Sequence, residues 1–570
     1  MRPGLPGGDP LAAALAAGET PSPELVAAAG EDVALRVQIA VPLAALMLVA
    51  LGIHTWASAR DSMLERLRPT ISPEVLRHTA RNIIRGVGYG DAVDSEHGFI
   101  WSQDYAGWTE KNDKPRADWS AVAKGRAPIL KYWYREAAET IPGEMFHDQA
   151  LTLGITTDTD PPPITVGSIH VELDPQGRLL EFRAMPAQKL AAPAKASMPD
   201  WTPLFRLAGL DVAAFKSAEP MWTFLEASDT RTAWTGVWPG SDRPLRVEAA
   251  AFGGKPVVFS LLGPWARADR TPEQSPPDPK LLLLSVILLA VLVASVYLAR
   301  ENLRHGRGDR RGAVRLAIVV FCTQFALWMA RMHFVWGIGL LGYALVEICT
   351  ASGFALFSWA VYLAAEPFAR RYWPQTLIGW TRVLSGRIRD DIVGRDVLIG
   401  GATALGWTAM SAINRTLRPE LQPHMVSTDL LISFRGAVRE YVENVPAVIW
   451  SALVLFFAIF LLRLLLRSDW LAGGAFTALF AGAAVLGGAS ATDIFFTVIL
   501  YASLALVAVR FGLLAVAAIL LFDNALGDMP ASFDSSAWYY PWFVLMVLLC
   551  AAAIVWAFVQ SIRRTRMGTA

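Results

Sequence analysis

Glu347 stands inside an apolar run, 340–365. An ionisable side chain at membrane depth is costly to bury and is a functional hypothesis by default. Two basic residues, Arg331 and His333, close the preceding apolar run and are its plausible partners. A Glu347–Arg331 pair would either carry a signalling or transport step or lock two helices together, since locking meets the same desolvation requirement. His170 and Glu172 form a second constellation, two residues apart on an expected strand and hence on one face. A metal site would need at least one more ligand of that kind nearby; without one, the pair is an exposed strand face. Eight tryptophans, Trp101, Trp108, Trp119, Trp133, Trp201, Trp222, Trp234 and Trp238, fall in one polar region. They would line an aromatic ligand pocket or, as the favoured alternative, form the core of a domain that has no disulfide. The basic and aromatic stretch 366–396 contains Arg370, Arg371, Arg382, Arg387 and Arg389. Such a stretch suits an anionic lipid surface, a docking surface for a cytoplasmic domain, or an ordinary positively charged loop.

Catalytic motifs are missing. There is no G-x-x-x-x-G-K-[ST], H-E-x-x-H or G-x-S-x-G, and no Gly-rich loop followed by H-R-D and D-F-G. No nucleophile, base and metal ligands converge. The sequence therefore assigns no catalytic, cofactor-binding or metal residue and predicts a chain that is not an enzyme by its own residues.

The elements that must position these residues follow from composition. Of 570 residues, 54% are hydrophobic and 18% charged, with a formal net charge of +1. Soluble domains carry about 25% charged residues, and a nucleic-acid binder would be basic; neither class fits, and no nucleic-acid partner is expected. The three cysteines lie in apolar stretches, so no disulfide framework is expected. A bilayer core takes about 20 apolar residues as a helix. Runs of that kind occupy 37–58, 281–299, 314–332, 340–365, 397–413, 446–462, 470–490, 494–509, 511–522 and 541–560. They predict a polytopic α-helical membrane protein of about ten transmembrane helices, with 511–522 short for a span. Acidic residues ahead of 37–58 argue for a retained anchor rather than a signal peptide. Trp538, Tyr539, Tyr540 and Trp542 fit an interfacial aromatic belt. Gly400-Gly401, Gly473-Gly474 and Gly487-Gly488 would break helices or let them pack closely.

Arginine placement orients the spans. The segments 300–315 and 370–395, Arg463, Arg467, Arg510 and the tail 563–570 all fall on one side if both termini are cytoplasmic in a bacterial inner membrane. The segment 415–444 strains the rule: it would be external, yet holds Arg415, Arg418, Arg435 and Arg439.

Residues 60–278 form an extracytoplasmic α+β insertion, and the pattern suggests an internal duplication, with copies at 73–187 and 200–268. In the first, a helix with Leu76, Ala80, Ile83 and Ile84 on one face precedes the strand GFIW and a hairpin turning at Asp174-Pro-Gln-Gly177. In the second, a helical start at Trp201 precedes PMWTF (220–224) and a hairpin turning at Gly253-Gly254. An Ala/Pro stretch, 189–197, separates the copies, and 271–280 leads to the bundle, 281–562. Residues 1–36 are an Ala/Gly/Pro-rich cytoplasmic linker.

Several stretches resemble certain bacterial membrane-bound serine/threonine protein kinases of the acidobacterial kind: GGDPLAAALAAGETPSPELVAAAG (7–30), GYGD (88–91), Gly98-Phe99, LDPQGRL (173–179), LGPW (262–265), GRGDRRGA (306–313), EPFARRYWPQTLIGWTRVLSGR (366–387) and VGRDVLIG (393–400). The resemblance covers essentially the whole chain. In such proteins a cytoplasmic kinase domain precedes the linker, and Met1 falls inside that linker. The resemblance thus implies the membrane-anchoring and sensory region of a kinase, with the catalytic domain fused or co-encoded, an extracytoplasmic ligand of unknown identity, and no kinase catalytic or ATP-binding residue to carry over. The alternative is a free-standing transporter or channel with an extracytoplasmic ligand-binding domain.

Overall fold

A computed structural model describes residues 22, 25, 35–113, 117–147, 151–190, 197–268, 270, 279–418 and 421–562. Most of the linker 1–36, the core of the Ala/Pro stretch 189–197, most of 271–280 and the tail 563–570 lie outside the described residues. The chain is a helical bundle with an inserted sheet domain. Among the described residues, nine helices are long and apolar enough to cross a membrane.

Helix α1 (Val37–Asp61) leads to a short helix α2 (Met63–Leu67) and into the domain. There follow α3 (Pro73–Gly86), β1 (Asp94–Trp101), α4 (Gln103–Asn112), α5 (Trp119–Lys124), β2 (Leu130–Ala137), β3 (Ile169–Leu173) and β4 (Leu179–Ala184). The second half comprises α6 (Thr202–Leu207), β5 (Lys216–Ala218), β6 (Thr230–Val237), β7 (Pro244–Phe252) and β8 (Lys255–Leu262). All eight strands form one antiparallel sheet in the order β1-β2-β3-β4-β8-β7-β6-β5. It is two four-stranded meanders joined through their last strands, with Phe182 opposite Phe259.

Local sequence explains these elements. Pro73 at the first turn starts α3, whose Leu76, Ala80, Ile83 and Ile84 are buried. Gly177, at φ +78, closes the β3–β4 turn, and Gly253 and Gly254 turn β7 into β8. PMWTF (220–224), which stands in the second copy where the strand GFIW stands in the first, forms no strand: these residues have no ladder pairing. Pro220 has no N–H to give, and the Met221 N–H goes to the Glu248 carboxylate at 3.0 Å. The second meander begins instead with the three residues of β5. Of the eight tryptophans, Trp101, Trp119, Trp133, Trp201 and Trp238 are buried, mostly in the domain core.

The bundle consists of α7 (Pro279–Arg304), α8 (Arg310–Arg331), α9 (Gly339–Tyr372), the short α10 (Ile378–Leu384), α11 (Asp391–Leu417), α12 (Phe434–Leu466), α13 (Asp469–Leu486), α14 (Ala491–Arg510), α15 (Leu513–Gly527) and α16 (Tyr540–Ser561). Helix α15 has 15 residues, about 22 Å at 1.5 Å per residue, short of the roughly 30 Å hydrocarbon layer. It is tolerated because Leu513 through Ile519 are buried among other helices, so lipid does not set its length. Gly400 makes this packing possible, since a Cβ there would lie 2.5 Å from the Ala515 carbonyl oxygen. Gly400-Gly401 thus lies inside α11 as a close-packing site and breaks no helix.

Candidate functional site

The domain and the bundle share a core. The loops 421–433 and 528–539, which connect α11 to α12 and α15 to α16, leave the bundle and insert Val426, Leu431, Ala537 and Tyr539 among Phe99, Tyr132 and Phe182 of the domain. The Trp101 indole N–H donates to the Val426 carbonyl at 2.8 Å, and that of Trp538 to the Leu431 carbonyl at 3.0 Å. Trp538 stacks on Phe99 with centroids 6.4 Å apart. The expected aromatic belt is therefore in part domain core: Tyr539 is only 1% exposed. Glu65 of α2 accepts from the Ser532 hydroxyl at 2.8 Å and the Phe533 N–H at 3.1 Å.

A charged clamp adds to this joint. Asp94 and Glu96, on one face of the edge strand β1, hold the His333 ring between them. Nδ1 lies 2.6 Å from Glu96 Oε2 and Nε2 2.9 Å from Asp94 Oδ2. Burial opposes the charged ring, but the hydrogen bonds and charges of Glu96 and Asp94 outweigh it and raise the His333 pKa. Burial likewise opposes the Glu96 carboxylate, yet His333 and His97 hold its pKa well below the usual range. A carboxylate at each nitrogen favours the imidazolium, the form in which both ring nitrogens donate. The His333 backbone N–H donates to the Gly154 carbonyl at 2.8 Å, and the Trp328 indole N–H to that of Leu153 at 3.0 Å. His333, considered from sequence as a partner for Glu347, thus belongs to the domain joint. Arg331 lies 3.4 Å from Glu443 of α12, and Glu347 is fully buried on α9.

The arginines at the domain end, which strained the charge rule, are engaged. Arg415 meets Asp61 at 2.6 Å, Arg418 meets Asp493 at 2.7 Å and Arg439 meets Asp429 at 3.0 Å. Arg435 donates to the Ala330 and Met332 carbonyls. Beside them opens a cavity of about 470 Å³ between α1, α11 and α15. Its wall includes His54, Arg60, Arg415, Arg418, His424 and Asp523. Sequence reasoning missed this cavity. Its one local signal was Asp523, an acid directly after the apolar run 511–522.

On the sheet, His170 and Glu172 acquire the third group that the sequence lacked. Glu181 of β4 stands opposite Glu172 in register, and one ligand atom from each of the three lies within 4.8 Å of the others. His170 Nε2 is 3.8 Å from Glu172 and 3.9 Å from Glu181. A cation is already present, because the Lys131 ammonium donates to Glu172 Oε2 at 2.9 Å. Burial and the charge of Glu172 raise the Glu181 pKa, whereas Lys131 and His170 hold Glu172 low against burial. The cluster is a charge-compensated patch on the face of the sheet.

At the bundle end away from the domain, the five singled-out arginines divide. Arg370 is buried beside Glu366 at 3.2 Å, and Arg382 is buried against Asp390 and Asp391. Arg371, Arg387 and Arg389 are exposed. Two of the five are thus structural and three form a surface. No family model, curated protein or solved structure matches this chain.

Proposed function

We propose that the chain is the membrane-anchoring and sensing region of a bacterial signalling protein, with the sheet domain outside the cytoplasm and the arginine-rich bundle end inside. The shared core carries this reading. A domain merely tethered to a bundle would close its own core, but here loops from four helix ends complete it. A shift in the sheet would therefore move the ends of α11, α12, α15 and α16. The far end of this unit presents Arg371, Arg387 and Arg389, a surface suited to a partner or anionic lipid. The placement of basic residues supports this orientation in an inner membrane. The resemblance to membrane-bound serine/threonine kinases makes a kinase domain, fused or co-encoded, the partner of choice. The two meanders joined through their last strands support the duplicated origin of the domain.

The test is to measure hydrogen exchange of residues 385–390 in the full chain, and phosphorylation by a fused kinase domain, before and after W538A. Altered protection and altered kinase output support transmission through the shared core; unchanged values in both rule it out. The second reading, a transporter or channel, draws on the cavity beside Asp523. Against it, the apolar half of α15, Leu513 through Ile519, fills the bundle beyond the cavity. Flux into liposomes carrying the full chain separates the two.

A further inference from the structure

The cavity at the domain end has the chemistry of a binding site, and its argument is independent of the sensing role. We propose that it binds the phosphodiester headgroup of an amphiphile that carries a hydroxyl or ammonium group beyond the phosphate.

Charge comes first. Arg60, Arg66, Arg415 and Arg418 line the cavity against two carboxylates, Asp61 and Asp523. Asp61 is taken by Arg415 at 2.6 Å and lies 4.0 Å from Arg66; Arg418 is held by Asp493. Among the described residues Arg60 meets no carboxylate, and its guanidinium lies 4.8 Å above the exposed Trp56 ring. Positive charge is therefore in excess at the mouth, supplied by the side chain whose planar donors best match phosphate oxygens.

The wall beyond the mouth is polar and incompletely satisfied. His424 Nε2 is buried and makes no hydrogen bond of ordinary geometry, although the Gly527 backbone lies within reach of the ring. Burial and then the charge of Arg415 lower the His424 pKa, which disfavours a charged ring at the site. Asp523, from α15, has no hydrogen bond or ion pair among the described residues. A carboxylate at that position opposes a free phosphate dianion and would accept from a hydroxyl or ammonium. A phosphodiester ending in such a donor meets both walls.

An acyl chain also has a place to lie. Val49, Ile53 and Trp56 are exposed at 58%, 58% and 53% and follow one another at helical spacing on α1. The stripe ends beside the cavity, at the end of a helix long enough to cross a membrane, where headgroups reside. A soluble phosphate compound shares the headgroup chemistry but would leave this stripe unused.

The experiment is native mass spectrometry of the full chain, delipidated in neutral detergent and supplied with phosphatidylethanolamine, phosphatidylglycerol or phosphatidylcholine. The wild type should retain the first two about tenfold over the third, equivalent to about 1.4 kcal/mol. R60Q/R66Q should lower retention of all three, and R60K/R66K should restore part of it. D523N should keep binding but lose the preference. Equal retention by the wild type and R60Q/R66Q, with both folded by circular dichroism, overturns the proposal. Displacement of bound lipid by inorganic phosphate alone overturns the amphiphile in favour of a soluble phosphate.

Discussion

The carboxylate of Asp61 lies 2.6 Å from the guanidinium of Arg415, joining the last turn of α1 to the last turn of α11. Below this contact the chain pairs as well: Ser62 and His424 form a short parallel bridge, with the Met63 N–H donating to the His424 carbonyl at 3.0 Å. The entry into the domain is thus stitched to the loop that enters its core. Both charged groups are partly exposed, so D61N should cost about 1 kcal/mol, and less in high salt. Thermal unfolding at two ionic strengths measures this; a cost that does not change with salt would remove the electrostatic account.

Trp538 belongs by sequence to the bundle and by packing to the domain. W538A should destabilise the domain by about 2–3 kcal/mol, below the loss for a fully buried tryptophan because Trp538 keeps some exposure. Near-ultraviolet circular dichroism and limited proteolysis within 60–268 follow the change. If only the bundle loosens, the shared core is not an energetic unit.

The His333 clamp depends on pH in a defined direction. A histidine with a raised folded-state pKa stabilises fully below its unfolded value, near 6.5, and loses that stabilisation as pH rises through the folded value. Glu96, whose pKa is lowered, stabilises above its ordinary 4.5 and loses this only as pH falls through the depressed value. The clamp should be tightest between these limits and weaken on the alkaline side. H333Q should flatten the alkaline limb of the melting-temperature profile while leaving the rest of its shape in place. An unaltered alkaline limb in H333Q would assign it to other groups.

Gly98 faces the Trp133 ring: an added Cβ would lie 2.8 Å from three ring atoms. The buried Trp133 has little room to retreat, so G98A should cost about 1–3 kcal/mol as an overpacked site. A melting curve decides it, and a neutral substitution would mean that the ring moves freely.

Lys131 balances the paired carboxylates Glu172 and Glu181. K131A leaves them adjacent and uncompensated, which should cost about 2 kcal/mol near neutral pH. Acidification should recover part of the loss as Glu181, whose pKa is already raised, takes up a proton. A loss independent of pH would point to packing by the lysine stem instead.

What could be read from the sequence was what is encoded locally. Apolar runs of membrane length located the nine candidate spans among the described residues, because hydrophobicity and length suffice for that, and the short run 511–522 is the 15-residue helix α15. The hairpins at Asp174–Gly177 and Gly253-Gly254 were legible because turn residues act within four positions. The non-local pairings were not legible. Glu181 reaches His170 and Glu172 only through the β3–β4 register, and His333 reaches Asp94 and Glu96 across more than 200 residues. Trp538 resembled a membrane-interface anchor because an amphipathic aromatic suits both environments. Two of the arginines at the domain end, Arg415 and Arg418, looked like exceptions to the charge rule because their carboxylate partners, Asp61 and Asp493, lie on other helices. The cavity had no sequence signature beyond Asp523, since its walls come from three separated segments.

The shared core also constrains how the protein is made. The sheet is translated between α1 and α7, but its core is completed by Val426 and Leu431, and then by Ala537 and Tyr539, which follow only after most of the bundle helices. Until α15 and α16 are in place, the domain waits with part of its apolar interior uncovered. Its compact state is therefore a report that insertion has reached α16, and a chain inserted only in part would offer that uncovered surface to chaperones and proteases.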